Sequence, residues 1–223
     1  FKMKPLQNGQ HHKTFKDFVI ETKSIIVGHK KFQKYILSRI FFAAYLPGMG
    51  LYAVYCQDKF NFAMSEAGIF TILNVIAAGA ASFTAGKLGD KYGHKSSMML
   101  AYFGHLIAVV LAIFSQNMYW VYGIFMAIGV GQGAFMPSAM NLIYDFADDR
   151  DTKTYMALVD SFLAPFVLIF ILGIGAFIKN GDYSNSLYII GTCIIIGMCI
   201  LQFIVKDPKE STKEVFNSGG FSS

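Results

Sequence analysis

Three polar side chains stand inside long apolar runs of this chain: Asn74, His105 and Gln132. Polar groups in such runs are costly in lipid and usually face a protein interior or a watery path. Asn74 and Gln132 fall deepest and are candidates for lining a substrate path. His105 has the side-chain type of a proton relay; the plainer reading is a hydrogen-bonded structural histidine. Arg39, Asn141 and Asp160 lie in or at the ends of apolar runs, and for Arg39 and Asp160 snorkelling to the nearer surface is a sufficient reason. The densest charge is in a short stretch, where Asp90 is the one acid among Lys87, Lys91 and Lys95, spaced by Gly86, Leu88, Gly89, Gly93 and His94. Metal chemistry is not expected. His11, His12 and His29 have no nearby ladder of acids or thiols, and Cys56, Cys193 and Cys199 have no metal-site spacing; the cysteines read as small apolar core residues. No phosphate-cradling loop for ATP is present, and no cofactor is expected.

The elements that must position these residues are membrane helices. Apolar residues make up 54% of the chain and charged ones 15%, against about a quarter charged in a soluble domain. The net charge of +5 does not point to nucleic acid, because the basic residues sit in the gaps between apolar runs. Six runs approach the ~20 residues that span a bilayer: 35–55, 67–85, 97–114, 119–140, 156–178 and 186–205. The expected fold is all-α, a polytopic bundle of six transmembrane helices with brief connections. Of the 19 lysines and arginines, only Lys59 and Lys179 fall on one side of it. That bias places both termini and the Asp90 stretch in the cytoplasm, in an integral, multi-pass protein of the plasma (inner) membrane. The Asp90 stretch is then the hairpin between the second and third spans, with three glycines to allow the reversal.

Residues 1–34 are polar and basic. Phe15, Phe18, Val19, Thr22, Ile25 and Ile26 follow helical spacing there, which predicts a short amphipathic helix on the membrane surface or on the protein's own cytoplasmic face. Residues 35–205 form the six-span bundle and 206–223 a polar cytoplasmic tail. Ala77 to Ser82 is a run of small residues, and Gly129, Gly131 and Gly133 repeat the theme in the fourth span; both allow close helix approach. Pro47, Pro137 and Pro165 can each interrupt or bend a helix, in the manner of helices that line transporter cavities.

With the spans in place, the hairpin becomes recognisable. Gly86-x-Leu88-Gly89-Asp90-Lys91-x-Gly93-His94-Lys95 resembles the signature loop of the major facilitator superfamily, Gly-x-Leu-Ala/Gly-Asp-Arg/Lys-x-Gly-Arg/His-Arg/Lys, and falls between the second and third spans where that family places it. The resemblance implies half of a twelve-helix transporter. It implies that Asp90 takes part in a charge-relay latch on the cytoplasmic face, with Lys91 and Lys95 as basic companions and Gly86 and Gly93 as close-packing positions. Arg150, within Asp148-Asp149-Arg150-Asp151, is a candidate latch partner, against the plainer reading of a solvated loop. The basic leading segment fits the end of a central loop and the polar ending fits a terminus, so the carboxy-terminal half is favoured. The well-preserved loop, which the family keeps better in its amino-terminal half, leaves the other half open.

The function expected is secondary transport of a small solute by alternating access, as a symporter or antiporter driven by a proton or substrate gradient. The partners expected are the solute, a coupling proton, the lipid bilayer, and another six-helix half or a second copy; no nucleic acid is. Anionic solutes would need basic cavity residues, which the deep spans do not show. Two rivals remain. One is a non-transporting receptor or assembly subunit. The other is an intramembrane aspartyl protease, since Tyr144-Asp145 and Leu88-Gly89-Asp90 superficially resemble its paired motifs. Their order is reversed and Lys87-Leu88 replaces the required Gly-x. A protease would need both Asp90 and Asp145, whereas a latch would tolerate loss of Asp145.

Overall fold

The computed structural model describes residues 28, 30–147, 152–179 and 183–205. The predicted amphipathic helix, His11, His12, His29, Arg150 with its aspartates, and the tail 206–223 lie outside the described residues. Six helical stretches are long and apolar enough to cross a membrane, and the described residues hold no strand. The fold is the expected all-α bundle.

The first span is two helices, α1 (Lys30–Phe42) and α2 (Tyr45–Phe60). Pro47 explains the joint. It has no N–H to give to the Ala43 carbonyl, so proline is tolerated only in a first turn. The ladder tightens before it to three-residue bonds, Ala44 N to Phe41 O at 3.4 Å and Leu46 N to Ala43 O at 3.1 Å. Pro137 and Pro165 instead lie inside the continuous helices α5 (Met118–Ala147) and α6 (Thr152–Lys179).

The helices α3 (Met64–Tyr92) and α4 (His94–Phe114) pack along α5 more extensively than any other pair. On α3 the buried residues Ala77, Ala81, Ala85 and Gly89 recur every fourth position, which is one helix face. Opposite them stand glycines. A Cβ on Gly129 would strike the Asn74 carbonyl and come within 3.0 Å of the Ala77 side chain; one on Gly133 would lie 2.6 Å from Ala78 Cα. One on Gly104 of α4 would lie 2.5 Å from the Gly131 nitrogen. Backbone thus meets backbone at both crossings. Ser82 Oγ adds a hydrogen bond to the Gly133 carbonyl at 2.6 Å.

The last span is α7 (Tyr183–Cys199), which widens into a π turn at Ile200–Ile204. Ser38 of α1 ties it down, donating to the Gly197 carbonyl at 2.7 Å and meeting the Tyr102 hydroxyl at 3.0 Å. An aromatic cluster joins α1, α5 and α6: Phe32 lies 4.9 Å from Tyr155, and Tyr35 5.4 Å from Phe146. Beyond Leu163, α6 buries little except Ile174. Of the cysteines read as core residues, only Cys56 is buried; Cys199 is exposed on the bundle surface.

Candidate translocation site and signature loop

The hairpin is tighter than its sequence suggests. Gly86 and Gly89 stay helical at the end of α3, His94 already opens α4, and the reversal falls on Gly93 alone. Gly93 has φ 92° and ψ 153°, a conformation that in practice only glycine adopts. Its N–H still caps α3 through the Gly89 carbonyl at 2.9 Å. Gly89 is small for a separate reason, since a Cβ there would lie 2.5 Å from His94 Nδ1. Gly86, by contrast, faces open space.

The bend aims the loop's side chains in different directions. His94 Nε2 lies 3.9 Å from Asp145 Oδ2, near the end of α5. Lys95 Nζ donates to the Gln202 carbonyl at 2.8 Å, a carbonyl in the π turn after α7. The loop is therefore moored to α5 on one side and α7 on the other. Asp90 is exposed and makes no hydrogen bond or ion pair among the described residues. It lies one turn before the start of α4, whose unsatisfied N–H groups favour a nearby anion. Lys91 also stays exposed, its ammonium 4.9 Å from the Tyr92 ring. Sequence reasoning gives Asp145 no part in a latch. The structure seats it against His94, so its loss no longer separates a latch from a protease.

A cavity of about 410 Å³ opens between α1, α2, α5 and α6. Arg39 and Asp160 line it, with Tyr45 and Phe135 and an apolar remainder. Arg39 does not snorkel out to the surface. Its guanidinium carbon lies 4.3 Å from the Phe135 ring centre, and its Nε and Nη1 are enclosed with no hydrogen-bond partner among the described residues. A basic cavity residue is thus present in this half after all. The signal was in the sequence, as Arg39 in an apolar run, and the snorkelling argument hid it; Asp160 is exposed, as that argument expects.

Asn74, Gln132 and His105 do not line this cavity. Asn74 Nδ2 donates to the Phe125 carbonyl at 3.1 Å and so links α3 to α5. Gln132 Nε2 reaches Met49 Sδ at 3.2 Å and links α5 to α2. His105 is buried, with its ring 4.5 Å from Tyr45 and 5.6 Å from Phe42. A Cβ at Gly131 would lie 2.5 Å from that imidazole, so the glycine makes its room. The expected hydrogen bond is missing, as neither ring nitrogen has a partner among the described residues. Packing on aromatic faces holds the ring instead.

At the opposite end Lys59, one of the two basic residues on that side, donates to Tyr55 Oη at 2.6 Å and to the Ser115 carbonyl at 2.7 Å. The Tyr183 hydroxyl donates to Asp58. These bonds fasten α2 to the end of α4 and the start of α7.

Six spanning helices, a charged cavity and a moored loop make this an integral, multi-pass membrane protein of transporter architecture. The family model for the Major Facilitator Superfamily matches residues 35–221. The chain belongs to the major facilitator superfamily, a transporter family, as a single six-helix half. Comparison with curated proteins gives no match.

Proposed function

We propose that this half works in a secondary transporter that moves a small solute by alternating access, with the Asp90 loop in the cytoplasm of a plasma (inner) membrane protein. The observation that carries the reading is the loop geometry. His94 and Lys95 anchor the hairpin to α5 and α7, and this leaves Asp90 exposed and unpaired among the described residues. An acid held out on a moored loop is placed to latch onto another six-helix unit and to release it. That unit is the second half of the same transporter or a second copy of this one. Arg150 remains a candidate partner for the latch. A proton or substrate gradient would supply the energy, and no catalytic role is assigned.

The test needs no knowledge of the solute. Leu46 lines the cavity and is partly exposed. In the native transporter, sealed in vesicles, Leu46→Cys is labelled with a membrane-impermeant maleimide from either face. Alternating access predicts labelling from both faces, and Asp90→Asn should shift labelling strongly toward the loop face. Identical labelling with and without Asp90→Asn would sink the latch. Labelling from one face only, under every condition, would favour the receptor or assembly subunit.

A further inference from the structure

We infer that the cavity between Arg39 and Asp160 takes a zwitterionic solute with an apolar body, its carboxylate on Arg39 and its ammonium on Asp160. This rests on the transporter reading above and adds the substrate class. Two of the nitrogens of Arg39 are enclosed without an acceptor among the described residues. Phe135, at 4.3 Å, offers the face of a ring but no lone pair. Enclosed guanidinium nitrogens without an acceptor are unfavourable, and the planar fork of donors matches a carboxylate better than a hydroxyl or a carbonyl.

Asp160 narrows the choice further. It lines the same cavity from α6, yet no ion pair with Arg39 is present. Had the two closed on each other, the cavity would be neutral and would suit an apolar ligand. Held apart, they present one positive and one negative pole. A simple anion would pair with Arg39 and face Asp160 as a like charge; a simple cation would meet the reverse problem. Only a solute with both charges satisfies both poles without a like-charge contact. Beyond Asp160 on the same helix, Leu163, Ala164, Val167 and Ile171 give the cavity an apolar wall, so the body that carries the two charges is apolar too.

Equilibrium binding to the native transporter in detergent tests this with a matched set of radiolabelled probes. Leucine carries both charges, 4-methylpentanoate lacks the ammonium, and 3-methylbutylamine lacks the carboxylate. Phenylalanine tests a larger body. The expected result is that leucine or phenylalanine binds, and that each one-charge probe binds at least tenfold more weakly. This comparison uses wild-type protein and does not depend on any variant folding. Arg39→Gln and Asp160→Asn should each weaken leucine binding at least tenfold, and Arg39→Lys should fall between. Monodisperse elution of each variant checks its fold. Binding of 4-methylpentanoate as tight as that of leucine overturns the inference, as does leucine binding unaltered by both substitutions, or no binding of either amino acid. The outcome is separable from the transport reading. Leucine binding with this pattern, alongside cavity labelling from one face only, keeps the inference and removes transport. Labelling from both faces without leucine or phenylalanine binding does the opposite.

Discussion

Gly133→Ala isolates how closely α3 and α5 are built together. The new Cβ would lie 2.6 Å from Ala78 Cα and closer still to its carbonyl oxygen. Both obstacles are backbone, so no side-chain rotation relieves them and the two helices must part along their crossing. Overpacking of this kind costs up to about 3 kcal/mol. Replacing a mid-helix glycine by alanine returns about 1 kcal/mol of helix propensity. The net loss is about 2 kcal/mol, which at roughly 2–4 °C per kcal/mol lowers the melting point by about 4–8 °C. Gly79→Ala is the control, because it lies mid-helix in α3, next to Ala78 of the same crossing, and its Cβ would meet nothing. It gains the propensity without the clash and should raise the melting point by about 2–4 °C. The assay is thermal unfolding of the native transporter in detergent, followed by thiol-reactive dye, with both variants run beside wild type. If Gly133→Ala melts at or above Gly79→Ala, backbone contact is not what holds this crossing.

Other expectations follow from single sites. Asp90→Asn should leave the protein folded and in the membrane while transport falls sharply; equal transport by mutant and wild type would remove the latch. Asp145→Asn should weaken the mooring of the hairpin through His94, read as faster proteolysis at the 86–95 loop with little change in melting temperature. Gly93→Ala forces a side chain into a backbone region reserved for glycine, at about 1–3 kcal/mol, and a lowered melting point would show it. Ser38→Ala removes a bond to the Gly197 carbonyl and strands the buried Tyr102 hydroxyl, a loss of about 1–3 kcal/mol in the same melting assay.

The spans were legible in the sequence because hydropathy over twenty residues is a property of composition. Their ends were less so. The second span, read as 67–85, runs on to Tyr92, since charged and glycine residues remain helical where an aqueous helix end tolerates them. The ten-residue hairpin shrinks to one residue for the same reason. The small-residue runs at Ala77–Ser82 and Gly129–Gly133 were visible as packing surfaces, and the backbone contacts follow from them. The site was harder to read. A polar side chain in an apolar run signals that it is not facing lipid, but not what it faces instead. Asn74 and Gln132 face neighbouring helices, whereas Arg39, assigned to the membrane surface, is half-buried against the cavity, and Asp160 lines the same cavity from an exposed position. Which of these applies depends on helix rotation about its axis, which needs all six partners at once. Asp145 was missed because its contact with His94 joins residues more than fifty positions apart.

The glycine crossings also set where this half can bend. With α3 and α4 each meeting α5 backbone to backbone at the glycines, those three helices are pinned at their crossings and should behave as one stiff plank. The start of α6 is clamped by Tyr155, Leu158 and Val159, but past Leu163 it buries little except Ile174. That part is a cantilever, fixed at one end and loose along most of its length. Asp160 sits beside the fixed point. A small displacement there, when a charge arrives or leaves, would be magnified into a larger sweep at the far tip of the helix.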